Sequence, residues 1–180
     1  MLLVVDNGSI YTKNLIDFLN DQNIFFEKQT PQLLDLKSLE KYDSVILSGR
    51  RRNEKKTNEI NSKIITYSIK NNIKLLGICY GAEILALTLG GTIRKTLSHQ
   101  KGNEIIKIFK ENVISNDSLN VFESHGFEIS KLPSVLVPLA ESKNCKYEII
   151  QYEKKSIFGT QFHPEMSKDG HDLIEKFCSL

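Results

Sequence analysis

The chain has 180 residues, 40% hydrophobic and 26% charged, and its 24 basic and 22 acidic side chains leave a net charge of +2. That is enough chain for one domain with a continuous core, and the charge balance excludes the strong field of a nucleic-acid or membrane-surface binder. No apolar run reaches the ~18 residues of a membrane span, the N-terminus lacks a basic leader, and three scattered cysteines, Cys79, Cys145 and Cys178, point to a reducing, cytoplasmic setting rather than a disulfide framework.

Leu2-Leu3-Val4-Val5 reads as a buried strand, ended by the turn signal Asp6-Asn7-Gly8-Ser9. Ile10, Leu15, Phe18 and Leu19 follow at helical spacing, and Ile24–Lys28 reads as a second strand. Leu33, Leu34, Leu36 and Leu39 suggest a short helix or turn, and Val45-Ile46-Leu47 a third strand running into Ser48-Gly49. Ile60, Ile64, Ile65 and Ile69 recur as one helix face and lead, through Asn71-Asn72, to the apolar strand Ile73–Ile78. Ile84–Leu89 is then of helical character, closed by Gly90-Gly91.

From Thr92 the texture changes to short β-rich runs, Ile105–Phe109, Val135–Val137, Tyr147–Tyr152 and Ile157–Gly159. A closing helix presents Leu173, Ile174 and Phe177 on one face. Strands alternating with helices imply an α/β domain: an open mixed, mostly parallel sheet flanked by helices, with a β-rich, partly antiparallel second half. With no linker composition and no repeat, residues 1–180 are expected to form a single domain. Asp6, Gly49 and Cys79 each follow a strand, so they should meet at the carboxyl rim, where such sheets bind ligands.

Gly77-Ile78-Cys79-Tyr80-Gly81 is a nucleophile-elbow pattern with cysteine at its centre. A sharp strand-to-helix turn leaves no room for side chains two positions either side of the nucleophile, and it places the thiol at a helix N-terminus. The local pattern alone also fits a buried structural cysteine. A nucleophilic thiol needs a base and the base an orienting partner. Among His99, His125, His163 and His171, only His163 closes a strand-like run, Ile157–Phe162, and is followed by Pro164-Glu165. Glu165 can hold the imidazole in one tautomer and stabilise its cation. His99 and His171 read as surface residues, and Cys145 and Cys178 lack the neighbours of a zinc site.

These two motifs together resemble the class I (triad-type) glutamine amidotransferase family. Val4–Ser9 looks like that family's first strand and turn, and Ile46–Gly49 like its oxyanion-loop strand. Glu123-Ser124-His125-Gly126, Leu132-Pro133, Ala140–Cys145 and Phe162–Ser167 are similar to the glutaminase part of GMP synthetases. The resemblance implies a flavodoxin-like fold and a Cys79–His163–Glu165 triad that hydrolyses L-glutamine. It implies an oxyanion hole of backbone N–H groups at Gly49 and Tyr80, and substrate contacts at Glu83, Ser124, His125, Gly126 and Glu128. It implies no metal and no cofactor in this chain; ATP and Mg would act on a separate ATP-pyrophosphatase synthetase subunit that makes GMP from XMP with the ammonia supplied.

Three positions depart from the family's pattern. Its oxyanion loop usually reads Ser-Gly-Gly-Pro, whereas this chain has Ser48-Gly49-Arg50-Arg51-Arg52-Asn53. Glu83 stands where a substrate-binding Gln is usual, and Phe127 where an acid is expected, with Glu128 beside it. A carboxylate only accepts hydrogen bonds, while an amide also donates. These changes leave open an amidase or transferase acting on another amide, and a non-enzymatic regulatory paralogue. The run Arg50–Arg52 with Lys55-Lys56 reads as a solvated loop, or as a contact for an acidic partner surface or anionic substrate; without interleaved aromatics it is no nucleic-acid site.

Overall fold

Four successive apolar residues form β1 (Leu2–Val5), buried on both faces as an interior parallel strand requires. In the computed structural model, which describes residues 1–115, 118–153 and 155–180, the chain continues through α1 (Thr12–Asp21), β2 (Phe26–Gln29), a 3-10 turn at Leu36–Lys41, β3 (Ser44–Leu47), α2 (Lys55–Asn71), β4 (Lys74–Ile78) and α3 (Tyr80–Thr88). The second half adds β5 (Thr92–Ile108), β6 (Leu119–Lys131), β7 (Leu136–Glu141), β8 (Ile149–Tyr152), β9 (Ile157–Thr160), a 3-10 turn at Pro164–Met166 and α4 (Lys168–Ser179).

Among the described residues the strands form one nine-stranded mixed sheet, in the order β2-β1-β3-β4-β9-β8-β7-β5-β6. β2, β1, β3, β4 and β9 are mutually parallel, and β8, β7, β5 and β6 extend the sheet antiparallel. The α/β reading and its β-rich second half are therefore what the molecule has. No helix of the described residues is long and apolar enough to cross a membrane.

Side-chain alternation along the parallel strands divides the core between two faces. Leu2, Val4, Ile46, Leu76 and Ile78 pack with Leu15, Phe18 and Leu19 of α1 and with Leu173, Ile174 and Phe177 of α4. Leu3, Val5, Val45, Leu47 and Leu75 face the other way, onto Ile64 and Ile65 of α2 and Ile84, Leu85 and Ala86 of α3. Each fully buried side chain of this size contributes roughly 1.5–3 kcal/mol from the area it removes from water.

Two sequence expectations change in detail. Ile10 is 64% exposed and precedes α1, because Ser9 Oγ and Ser9 O take the N–H groups of Tyr11 and Thr12 and the helix starts at Thr12. β5 and β6 are far longer than the run Ile105–Phe109 suggested, pairing from Thr92↔Lys131 to Ile106↔Leu119 with two register shifts. Residues 92–104 of β5 are half-buried or open to solvent, so that part of the strand is mostly polar and carries little apolar signal.

In the sheet order β1, β3, β4 and β9 are consecutive and parallel. The loops after them therefore emerge along one edge, bringing Asn7, Gly49, Cys79 and His163 to a common rim.

Candidate active site

Cys79 sits between β4 and α3 with φ 50 and ψ −101, a backbone region that a non-glycine residue occupies only under constraint. Its N–H donates to Thr160 O at 2.7 Å, and its carbonyl accepts from Ala82 N and Glu83 N, each at 3.0 Å. The flanking glycines are required by contact. A Cβ on Gly77 would lie 2.4 Å from the carbonyl of Gly81, and one on Gly81 would lie 2.5 Å from Leu47 O. The elbow can fold only because both are absent. Cys79 is 9% exposed.

His163 reaches the same rim from β9. Its N–H donates to Phe122 O at 2.8 Å, and its Nδ1 donates to Glu165 Oε1 at 2.8 Å. Both side chains are buried. Burial opposes the imidazolium, yet the Glu165 carboxylate together with the Cys79 sulfur holds the His163 pKa well above its usual 6.5. Burial pushes the Cys79 thiol up, against the hydrogen bond and charge of His163, with Glu83 and Glu165 adding to the rise. A thiol, an imidazole and a carboxylate thus stand in the relation that nucleophilic catalysis uses, with Nε2 left to the sulfur.

Gly49 closes the site from β3. A Cβ there would approach His163 Cε1 to 3.0 Å. The loop is tied down on its upstream side by Asn7, whose N–H donates to Ser48 Oγ at 2.9 Å and whose Nδ2 donates to Ser48 O at 3.0 Å. Asn61 Nδ2 in turn donates to Asn7 Oδ1 at 2.8 Å. Tyr80 is the first residue of α3, so its backbone N–H has no partner inside the helix. The loop is not simply solvated. Arg51 and Arg52 are exposed, but Arg50 is half-buried and its guanidinium lies 4.0 Å from the Tyr80 ring centroid.

Glu83 lies in the first turn of α3, 5% exposed. Burial raises its carboxyl pKa, opposed by the Arg50 cation, the Gln161 amide and His125. Gln161 Nε2 donates to Glu83 Oε1 at 3.5 Å, and Gln161 Oε1 is buried without a partner. His125 is buried, its Nδ1 donating to Phe127 O at 2.8 Å while its Nε2 lies 3.1 Å from Glu123 Oε2. Ser124 Oγ accepts from Tyr11 OH at 3.1 Å. Gly126 packs toward His99, and Phe127 is 48% exposed. Glu128 is buried, but its Oε1 accepts from Arg94 Nε at 2.7 Å. Its carboxylate is therefore already engaged across the β5–β6 ladder.

Two residues beside the His163–Glu165 pair are not singled out by the sequence. The Tyr11 ring lies 4.5 Å from the His163 ring, so Tyr11 joins Ser124 to the imidazole. His171, expected at the surface, stacks on Phe18 at 4.2 Å and donates from Nε2 to Glu165 O at 3.1 Å. Both bracket the His163–Glu165 pair. Tyr11 could have been suspected from its place just beyond the rim turn; His171 gave no such hint. Beside the site, a cavity of 380 Å³ is lined by Asn7, Gln32, Arg51, Arg52 and Thr57 among others, and none of Cys79, His163 and Glu165 opens into it.

Residues 3–179 match the model of the family described as glutamine amidotransferase class-I. A glutamine-hydrolyzing GMP synthase of Aliivibrio fischeri is 28% identical over 98% of this chain, which spans about a third of that protein, 35% of its length. A subunit of the glutamine-hydrolyzing GMP synthase of Methanocaldococcus jannaschii is 27% identical, with 100% of this chain and 97% of the relative covered. Among solved structures, a Thermoplasma acidophilum protein described as one subunit of a GMP synthase superposes with a TM-score of 0.87 at 26% identity, over 99% of this chain and 92% of that one.

Proposed function

The chain belongs to the class I glutamine amidotransferases, and from that premise we propose that it is a glutaminase subunit that supplies ammonia to a separate GMP synthetase subunit. The observation that carries this reading is the convergence of Cys79, His163 and Glu165 at one rim, with Gly49 against the imidazole. The match along nearly the whole of the Methanocaldococcus jannaschii subunit supports a partner on a second chain.

In this reading Cys79 gives its proton to His163 as its sulfur attacks the side-chain amide carbon of glutamine. The tetrahedral oxyanion is held by the backbone N–H groups of Tyr80 and Gly49; losing one such donor costs about 10²–10³ in rate. The His163 imidazolium, oriented and stabilised by Glu165, protonates the departing nitrogen, and ammonia leaves a γ-glutamyl thioester on Cys79. The neutral imidazole then takes a proton from water, which attacks the thioester; glutamate is released and the proton returns to the sulfur. Ammonia passes to the proposed partner, on which ATP and Mg²⁺ would supply the activation of XMP for amination.

Glu83 on α3 and Ser124, His125, Gly126 and Glu128 on β6 are assigned to substrate binding in this reading. The low exposure of Cys79 supports a site that opens fully only when the partner docks. Glu83, a buried carboxyl where an amide would both donate and accept, favours a second reading in which the amide hydrolysed is not that of glutamine.

The test is Cys79→Ala in the reconstituted two-subunit enzyme. Glutamine-dependent GMP formation should fall to background while ammonia-dependent formation persists. Retained glutamine-dependent synthesis would remove Cys79 as the nucleophile.

A further inference from the structure

The loop after β3 lacks the second glycine and the proline of the family's usual oxyanion loop, and a specific set of contacts takes their place. Arg50 lays its guanidinium face over Tyr80, 4.0 Å from the ring centroid. Within the guanidinium plane, Nη1 donates to Asn53 Oδ1 at 2.8 Å and to Asn58 Oδ1 at 2.7 Å. The same Asn58 oxygen accepts from Tyr80 OH at 2.8 Å, and Asn58 Nδ2 donates to Asn53 Oδ1 at 3.0 Å. The Arg50 backbone bridges to Gly8 in the turn after β1. One side chain therefore joins the loop, the first turn of α2 and the first residue of α3.

Only a planar cation can make both kinds of contact at once, stacking with its face and donating with its edge. A proline stiffens a loop through its own ring; here the stiffness is supplied from outside, by elements already fixed in the core. Burial pushes the Tyr80 hydroxyl up to about 12, with Arg50 opposing, so the phenol stays a donor to Asn58 across the working pH range. The contacts tie the loop that carries Gly49 to the side chain of Tyr80, the residue after Cys79.

We propose that Arg50 is a positioning residue that clamps the Gly49 loop onto the first residue of α3 through Asn58 and Tyr80, presetting the two halves of the oxyanion hole. Arg51 and Arg52, exposed on the same loop, have no part in the clamp. The clamp rests on the assignment of Gly49 and Tyr80 as oxyanion donors, and extends it from the donors to what holds them.

The experiment compares wild type, Arg50→Ala, Arg50→Lys, Asn58→Ala and the Arg50→Ala/Asn58→Ala double variant. The readouts are glutamine hydrolysis with the synthetase subunit present and amide hydrogen exchange of the peptide spanning residues 48–54. Arg50→Ala should lower kcat by roughly 10- to 100-fold, short of deleting a donor outright, and leave KM within about threefold. Asn58→Ala should do likewise, and the double variant should lose no more than the worse single, since both break one network. Arg50→Lys keeps the charge without the stack and should recover little. Exchange of the loop should be roughly tenfold faster in Arg50→Ala. An unchanged kcat, additive losses, full rescue by lysine, or unchanged exchange would each overturn the clamp. If wild type fails to hydrolyse glutamine with its partner, the glutaminase reading falls by itself. The clamp is then judged on exchange alone: loss of protection in Arg50→Ala upholds it and retained protection overturns it.

Discussion

Cys79 and His163 share a proton economy set by Glu165. The proposed mechanism needs the pair to hold one proton between them, so that the sulfur can attack and the imidazole can receive. Both groups have raised pKa values, the imidazole through Glu165 and the thiol through burial. At low pH the pair therefore carries two protons, and the reactive form grows as pH rises through a His163 value above the ordinary 6.5. The acidic limb of the kcat/KM profile should lie above that value. Glu165→Gln removes the charge that favours imidazolium, so the limb should move to lower pH while the plateau falls by roughly 10²–10⁴. A limb that stays in place in Glu165→Gln would mean that the carboxylate does not set the His163 equilibrium. His171 and Tyr11 belong to this same scale. One donates to the Glu165 backbone and the other packs on the imidazole, and neither contact is visible before the chain is folded.

The elbow works as an element because β3, β4 and α3 approach more closely than side chains allow. At Gly81 the helix backbone passes so near Leu47 that a Cβ would sit 2.5 Å from its carbonyl oxygen and 3.1 Å from its Cβ. Gly81→Ala must push α3 away from β3, and should cost about 1–3 kcal/mol in urea unfolding. Because α3 carries Tyr80 and Glu83, the same variant should lose activity even where it is fully folded. An unchanged urea midpoint would contradict this packing. Elements of this kind were legible because their constraints are local: apolar runs for β1, β3 and β4, and helical spacing for α2 and α4. β5 and β6 were only partly legible. Their long ladder is held by pairing with each other, and Glu123-Ser124-His125-Gly126 is singled out only by its resemblance to the family, its place in a strand coming from pairing with β5.

Across the whole molecule, one parallel sheet order places four loop ends along one rim, and function follows from what each loop carries. Cys79, His163 and Glu165 could be singled out in the sequence because each lies in a short local motif, Gly77–Gly81 or His163–Glu165, and the fold brings both motifs to one rim. The supports could not. Asn7, Asn58 and Gln161 are ordinary polar residues whose roles arise only when α2, β1 and the end of β9 meet. The departures at Arg50 and Glu83, separate in sequence, prove to be neighbours in charge: burial raises the Glu83 carboxyl and Arg50 is the first group to oppose it.

The proposed glutaminase chemistry at Cys79 is tested most directly by treating the folded chain, alone and with the proposed synthetase partner, with a glutamine-analogue electrophile and locating the adduct by mass spectrometry. One residue, Cys79, should be modified, faster with the partner present and with protection by L-glutamine. Folded protein that gives no adduct at Cys79 in either setting would contradict a glutamine-hydrolysing role.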